Sequence, residues 1–227
     1  TPNEVCSAGY VCRLGAKTTQ GAFYAGGSGG DCPVGFYCLA GSKEPTPCPS
    51  GTFSNTPRLE AVDQCTNCTQ GMYCNTTALT APQGECDAGY YCVEAAASRR
   101  PIDSHTGSVC PRGFFCPVGS HEPQPCVAGF YANHTGMSEC LPCVAGFYCP
   151  AQTSNYEDFP CPTGHVCPAQ TASATANPCP MGTYNPFTKR LNQVSSCGIR
   201  SFPAPYLLLT PVLPLPLARM FLWSHTQ

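Results

Sequence analysis

Apolar residues in this sequence recur in short clusters rather than with the period of a helix or a long strand. A glycine is followed by one or two aromatic residues and often by a cysteine, as in Gly35-Phe36-Tyr37-Cys38. Pro-x-Gly after a cysteine favours a turn, because proline fixes φ and glycine permits a positive φ. The aromatic residues favour a brief extended stretch. The pattern therefore predicts repeated units of turn and short strand, with the aromatic ring over a nearby disulfide.

Long helices are not expected, because 22 Gly and 25 Pro interrupt almost every window of the chain.

Seven segments share the spacing C-x5-C with Gly at the third inner position. Their cysteines are Cys6–Cys12, Cys32–Cys38, Cys68–Cys74, Cys86–Cys92, Cys110–Cys116, Cys143–Cys149 and Cys161–Cys167. Internal repetition of this kind indicates an array of small structural units.

A second motif, C-x2-G-[TF]-[FY], begins at Cys48, Cys126 and Cys179. Each copy runs 14 to 18 residues to a further cysteine, which is Cys65, Cys140 or Cys197. Eight cysteines from residue 32 to 92 recur in the same order from residue 110 to 167, at an offset of 78 residues. This longer period indicates two equivalent blocks.

The composition limits the kind of core that this chain can form. Leu, Ile, Val and Phe together make up about 17% of the 227 residues, and seven of the 13 Leu lie in the last 27 residues. Such a chain buries too little apolar surface to offset its conformational entropy without cross-links. Twenty Cys, an even number, can supply them. Disulfides at this density persist outside the cell or in the secretory lumen.

Two features of the chain bear on its partners and its origin. A net charge of −2 favours neither nucleic acid nor an acidic membrane as a partner. The chain starts at Thr1 and shows no signal peptide. Since export needs such a signal, we expect the natural N-terminus to lie upstream.

The motifs resemble the ephrin-receptor-like cysteine-rich repeat. The resemblance rests on Cys32-Pro-Val-Gly-Phe-Tyr-Cys38, on Cys48-Pro-Ser-Gly-Thr-Phe and on Cys65-Thr-Asn-Cys68, with a second copy from Cys110 to Cys126, and it covers residues 6–197. It implies an extracellular module, similar in style to tumour-necrosis-factor-receptor and EGF-like modules, that occurs in tandem in larger proteins. It further implies disulfides between neighbours, with Cys48–Cys65, Cys126–Cys140 and Cys179–Cys197 as the favoured pairs. The pairing of the other cysteines stays open, because sequence alone cannot choose among the many connectivities of eight cysteines.

The repeats and the resemblance divide the chain into five parts. Residues 1–31 form a partial repeat, residues 32–109 and 110–178 form two repeat blocks, and residues 179–200 form a truncated repeat. The C-x2-C spacing of the earlier repeats predicts a cysteine at residue 200, where the sequence has Arg200. Residues 201–227 form a tail rich in Leu and Pro, which we interpret as disordered or non-native. Five prolines within about 20 apolar residues argue against a membrane span there.

No catalytic constellation and no cofactor site is evident. A structural zinc site usually needs two C-x2-C pairs about 15–20 residues apart, or one such pair with paired histidines. Here the pairs Cys65/Cys68 and Cys140/Cys143 lie about 75 residues apart, and the five His are scattered. His165 takes an aromatic position of the motif, where packing explains it best. An intracellular zinc scaffold and a hidden enzyme or protease inhibitor remain as alternatives.

Three tripeptides match the N-glycosylation signal, at Asn67, Asn75 and Asn133. A lumenal chain is usually modified at exposed signals. Asn75 and Asn133 are the better candidates, because a disulfide at Cys68 would constrain the signal at Asn67.

The sequence as a whole predicts a small disulfide-rich fold of tandem modules, with short strands, little helix and an extended, rod-like arrangement. It predicts a non-catalytic extracellular repeat region of a secreted or membrane-bound protein, which acts as a spacer or binds other proteins.

Overall fold

A computed structural model of the protein describes residues 4–21, 29–191 and 197–198. In these ranges the chain forms pairs of short antiparallel strands, and its only helical segments are two 3-10 turns, Val62–Gln64 and Tyr156–Asp158. All 20 cysteines are joined in ten disulfides. The predicted small disulfide-rich fold is confirmed. The predicted tail at residues 201–227, like Arg200, lies outside the described residues.

The chain is built from ten equivalent units, each of which begins with Cys-x2-Gly and contains one disulfide. We number the residues of a unit from its first cysteine, so that the glycine is position 4. The two sequence motifs are therefore variants of one unit. Units 1 to 10 begin at Cys6, Cys32, Cys48, Cys68, Cys86, Cys110, Cys126, Cys143, Cys161 and Cys179.

The Cys-x2-Gly motif forms the same turn in every unit. The amide of position 5 donates to the carbonyl of position 2, as from Phe36 to Pro33 at 3.2 Å. The glycine at position 4 has a φ between 74° and 92° in all ten units. This is the third residue of the turn, where a positive φ makes glycine the preferred residue. The predicted turn is thus present, and it sets the direction of the strand that follows.

A short extended segment follows each turn, and in units 1 to 9 it pairs with the residues just before the next unit, whereas in unit 10 it pairs with Gly198. In units 8, 9 and 10 the pairing is a single bridge, such as Phe147 with Pro160. In the other units it forms a two-stranded antiparallel sheet: β1 with β2, β3 with β4, and so on to β13 with β14. The strands are β1 Tyr10–Cys12, β2 Gly29–Asp31, β3 Phe36–Tyr37, β4 Thr46–Pro47, β5 Thr52–Phe53, β6 Thr66–Asn67, β7 Met72–Tyr73, β8 Gly84–Glu85, β9 Tyr90–Cys92, β10 Gly107–Val109, β11 Phe114–Phe115, β12 Gln124–Pro125, β13 Phe130–Tyr131 and β14 Leu141–Pro142.

The second cysteine of a unit stands in one of two places. In seven units it is position 7, and the bridge joins residues six apart. In units 3, 7 and 10 the bridge spans 17, 14 and 18 residues. Position 7 is then filled by Ser54, Ala132 or Asn185, which are at most 3% exposed. A small side chain thus replaces the cysteine without changing the path of the backbone.

Four backbone hydrogen bonds join each unit to the next, and they recur at all nine junctions. Between units 5 and 6, the Gly89 amide donates to the Cys116 carbonyl and the Gly89 carbonyl accepts from Cys110. The Cys86 carbonyl accepts from Gly119, and the Cys92 amide donates to Ser120. These backbone bonds link only successive units, as in linear repeat proteins. The predicted block boundaries at residues 109 and 178 fall on junctions that carry the same four bonds.

A residue in the left-handed conformation completes each junction. It stands at position 10 or 11, and its amide donates to the first cysteine of the preceding unit. Six of the seven described non-glycine residues with positive φ hold this position: Arg58, Ala78, Ala95, Gln152, Gln170 and Lys189. The residue also reaches one unit further back, where its carbonyl fills the space beside the position-4 glycine. Each glycine of units 1 to 8 therefore lies against the backbone of the unit after next.

Candidate functional site

Two columns of apolar side chains run along the array, at positions 5 and 6 of the units. Successive strand residues point to opposite faces, so the two columns lie on opposite faces of the hairpins. Most of these side chains are half-buried. Position 5 holds Tyr10, Phe36, Thr52, Met72, Tyr90, Phe114, Phe130, Phe147, His165 and Thr183. Position 6 holds Val11, Tyr37, Phe53, Tyr73, Tyr91, Phe115, Tyr131, Tyr148, Val166 and Tyr184.

The columns cover the disulfides from both sides. Phe36 of unit 2 packs on its own bridge, Cys32–Cys38, while Val11 of unit 1 packs on the same bridge. Likewise Tyr90 and Tyr73, from units 5 and 4, pack against the bridge of unit 5. Position 5 thus covers the bridge of its own unit, and position 6 covers that of the next. The expected packing of aromatic rings over disulfides is present, and it extends across unit junctions.

Unit 8 adds an aromatic cluster to this scheme. Tyr156, in the loop of unit 8, lies edge-on to Tyr131 at a ring separation of 4.9 Å and to Phe147 at 5.1 Å. Tyr148 and Phe159 form a further edge-on pair at 5.5 Å. Such pairs contribute roughly 0.5–1.5 kcal/mol beyond their buried area. Burial raises the pKa of Tyr131, because the phenolate would lose its hydration. The cluster is therefore packing rather than an open site.

Two cationic side chains lie over aromatic rings of the position-5 column. Both belong to residues in the left-handed conformation that complete a junction. The Arg58 guanidinium of unit 3 is 5.5 Å from the Tyr10 ring of unit 1, and Lys189 of unit 10 is 5.2 Å from the Phe147 ring of unit 8. Arg58 also pairs with Asp31 at 2.9 Å. Cation–π contacts at exposed sites contribute about 0.5–1 kcal/mol. The position-5 column is therefore partly covered by charged side chains and is not a continuous exposed hydrophobic surface.

The disulfides connect the cysteines within units. Cys48 pairs with Cys65, Cys126 with Cys140 and Cys179 with Cys197, the three pairs that the resemblance implies. Each of the remaining cysteines pairs with the other member of its C-x5-C segment: Cys6–Cys12, Cys32–Cys38, Cys68–Cys74, Cys86–Cys92, Cys110–Cys116, Cys143–Cys149 and Cys161–Cys167.

The C-x2-C pairs do not form dithiol or metal sites. Cys65 and Cys68 belong to different bridges, as do Cys140 and Cys143, because each pair spans the junction of two units. In the part of the chain that the structure describes, no three His, Cys, Asp or Glu side chains form a group that could hold a metal ion. His165 is half-buried in its column, with its Nδ1 3.1 Å from the Thr163 carbonyl oxygen.

A carboxylate organises the loop of unit 5. Asp103 accepts hydrogen bonds from the amide of His105 at 2.9 Å, and from the amide and hydroxyl of Thr106 at 2.7 and 2.8 Å. These bonds to Thr106, and then the one to His105, lower the pKa of Asp103 below its usual value.

We expect this loop to loosen in acid. A carboxyl whose pKa is lower in the folded protein than in the unfolded chain stabilises the fold above its unfolded pKa. That contribution is lost as the pH falls through the folded pKa. An NMR titration should place the pKa of the Asp103 carboxyl below the ordinary aspartate range, and the protection factor of the Thr106 amide, which compares its exchange with that of an unstructured chain at the same pH, should fall below that pH. An ordinary pKa for Asp103 would contradict the expectation, and the Asp103→Asn variant should show no such pH dependence.

The three glycosylation signals lie in different surroundings. Asn75 is exposed, one residue after Cys74. Asn133 is half-buried, and its Oδ1 is enclosed without a hydrogen-bond partner. Asn67 is exposed but lies in β6, and the amide of the next residue, Cys68, bonds to the Gly51 carbonyl.

We expect Asn75 to carry a glycan when the chain is secreted from eukaryotic cells, because the residue is exposed. The Asn75→Gln variant should lose the mass of one glycan, as measured on the intact protein before and after enzymatic deglycosylation. The matched change Asn67→Gln should alter the mass little or not at all. Equal loss in both variants would show that modification precedes folding of the units.

Comparison with known proteins finds a weak similarity over part of the chain. No family model matches the chain. A segment of 111 residues, 48% of the chain, is 30% identical to the ABC-type transporter claG of Penicillium crustosum. The match spans 12% of that protein's length. Among the described residues, no helix is long and apolar enough to cross a membrane. The chain is thus a cysteine-rich array, similar in part to a short region of a much longer protein.

Proposed function

We propose that this chain is a non-catalytic extracellular repeat region that acts as a spacer or protein-interaction module of a larger secreted or cell-surface protein. One observation carries the proposal: every cysteine is bridged within its own unit, and the bridges form the buried core. Such a core is stable only where thiols stay oxidised. The favoured site of action is therefore extracellular.

The junctions support a spacer role. Because the same four backbone bonds recur at nine junctions, adding or removing a unit changes the length of the array without changing its local structure. The loops between the bridges differ in length and sequence, and these variable loops are where partner recognition is expected. The partners would be other proteins or neighbouring domains.

The resemblance to ephrin-receptor-like repeats belongs to the same proposal, since such repeats occur in tandem in large extracellular chains. The similarity to part of a transporter also fits a region of a longer, membrane-associated protein. In that case the array would be displayed on the extracellular side, where its disulfides persist.

The test begins with the bridges. Mass spectrometry of the secreted chain under non-reducing conditions should show ten disulfides, each within a unit. Mostly free thiols with stoichiometric zinc, measured by elemental analysis, would instead favour the intracellular zinc scaffold.

Small-angle X-ray scattering then tests the spacer role. A compact domain of this length has a radius of gyration of about 17 Å. The oxidised chain should give a clearly larger value with a rod-like scattering profile. A radius near the compact value would rule out an extended spacer.

A further inference from the structure

Two adjacent arginines in the loop of unit 5 share a single carboxylate. The Arg100 Nε lies 2.6 Å from Asp87 Oδ2, and the Arg99 Nε lies 3.6 Å from the same oxygen. Both arginine side chains are 60% exposed. Within the described part of the chain, their terminal Nη groups form no hydrogen bond, and the loop carboxylates of Glu94 and Asp103 form no ion pair with them. One carboxylate therefore balances two guanidinium groups whose outer donors are available.

The path of the loop does not require these charges, because unit 1 forms the same backbone contact without them. In unit 5 the Asp87 amide donates to the Arg99 carbonyl at 3.0 Å, and this bond ties the loop to the Cys-x2-Gly turn. In unit 1 the corresponding residues are the uncharged Ser7 and Thr19, whose bond is 2.7 Å long. Exposed ion pairs also contribute little to stability. The arginine pair is therefore an addition to the loop rather than a requirement of its fold.

A buried proline separates the arginines from an exposed isoleucine. Pro101 is buried, and its Cγ would lie 2.5 Å from a Cβ on Gly107, so its ring packs closely on the first residue of β10. The next residue, Ile102, is 83% exposed. Because the backbone on both sides of Ile102 is held by bonds within the loop, binding there costs little ordering of the chain. The loop thus presents two cations and one large apolar side chain close together in sequence.

These side chains indicate the chemistry of a ligand. A guanidinium group matches the two oxygens of a carboxylate, and arginine is enriched at protein–protein interfaces. An exposed isoleucine contributes to binding when an apolar group covers it. A sulfated sugar would satisfy the arginines but would leave Ile102 in water. A protein segment with an acidic and an apolar side chain close together satisfies both.

We propose that Arg99, Arg100 and Ile102 form a binding surface on unit 5 for a partner protein segment in which a carboxylate stands beside an apolar side chain. The carboxylate accepts hydrogen bonds from the arginine Nη groups, and the apolar side chain packs on Ile102. Asp87 holds the two guanidinium groups together and is a positioning residue. This inference deepens the proposed protein-interaction role and rests on it.

Titration of the oxidised full chain with short peptides, followed by NMR of the arginine Nε–H groups, tests the surface. The probes are capped peptides of repeated Glu-Leu-Gly, Glu-Ser-Gly or Gln-Leu-Gly. The Glu-Leu-Gly peptide should shift the Arg99 and Arg100 signals saturably and bind about tenfold more tightly than the other two, since each of those lacks one contact. Equal affinity of the three peptides, or no shift, would overturn the proposal. Tighter binding of a sulfated heparin oligosaccharide would also overturn it, in favour of a glycan ligand.

Variants of the loop locate the binding. Arg99→Gln/Arg100→Gln should bind the Glu-Leu-Gly peptide about tenfold more weakly, and Ile102→Ser should lower its affinity to that of the Glu-Ser-Gly peptide. Arg112→Gln is the matched control and should bind as the parent does, because Arg112 is exposed and forms no ion pair among the described residues. Equal binding by the double variant and this control would contradict the proposal.

Two further measurements separate the possible causes of a failure. The Asp87 amide should stay protected from exchange in every variant, which shows that the loop keeps its path; if a variant loses this protection, the peptide series on the unchanged chain decides the proposal. A thiol assay on the same samples reports on the proposed extracellular function, whose failure would appear as free cysteines. An oxidised chain that does not bind the Glu-Leu-Gly peptide would overturn the binding surface alone.

Discussion

The Gly113→Ala variant is expected to lose about 3 kcal/mol of stability around units 6 to 8. Gly113 has a φ of 82°, and a Cβ on it would lie 2.6 Å from the Gln152 carbonyl oxygen of unit 8. That oxygen has little room to retreat, because the Gln152 amide is bonded to the Cys126 carbonyl of unit 7. The added methyl therefore forces two backbones apart, besides placing alanine in a left-handed conformation.

Gly164→Ala is the matched control for this effect. Its φ is 74°, so the left-handed conformation costs about the same, roughly 1 kcal/mol. No atom of the described chain lies within 4 Å of the added methyl group. Thermal unfolding at low protein concentration, with hydrogen exchange to locate the loss, should show a clearly larger effect for Gly113→Ala. Equal effects would mean that the close approach of the Gln152 carbonyl to Gly113 has no energetic role and that only backbone strain matters.

Removal of the Cys110–Cys116 bridge by the double change Cys110→Ala/Cys116→Ala is expected to loosen units 5, 6 and 7 together. Loss of a short cross-link costs roughly 2–3 kcal/mol, and the bridge is also the buried core of its unit. The effect should spread, because the Gly89 amide donates to the Cys116 carbonyl and the Cys116 amide donates to Met137. Exchange of the Gly89 amide of unit 5, bonded to the carbonyl of residue 116, and of the Gly136 amide of unit 7, bonded to the carbonyl of residue 110, should accelerate together when followed by mass spectrometry.

The corresponding change at the end of the array, Cys6→Ala/Cys12→Ala, is the control. Both bridges join residues six apart, so the contribution of the cross-link itself is similar. Among the described residues, the junction bonds of unit 1 run to unit 2 alone, so the disturbance should reach fewer of these residues. If exchange increased only inside unit 6 in the central variant, the units would be energetically independent and the coupled array would be disproved.

Much of the local structure could be predicted from the sequence. The Cys-x2-Gly turn, the brief aromatic strand and the ring over the disulfide follow from residue types at fixed short spacings, because turn geometry and strand alternation depend on adjacent residues. The scarcity of aliphatic side chains likewise indicated that cross-links, not an apolar core, hold the fold together.

The equivalence of the ten units was harder to predict. The C-x5-C segments and the motifs at Cys48, Cys126 and Cys179 look like two different motifs in the sequence, because their second cysteines stand in different places. Alignment on Cys-x2-Gly would have placed Ser54 and Ala132 opposite the missing cysteines. Together with Asn185 of unit 10, these short side chains are the signal in the sequence, and their burial explains why no large side chain occurs at that position.

The sequence by itself determined the turns, the short strands, the oxidising environment that the bridges require and the position of every unit. Only the tertiary structure decided how the units join. The left-handed residue varies from glycine to arginine, so its identity carries no signal, and its role depends on backbone groups that all residues share. Its carbonyl meets a glycine two units away, a distance along the chain at which no local propensity acts. The junction is therefore specified by backbone hydrogen bonding and close approach, which residue patterns alone do not reveal.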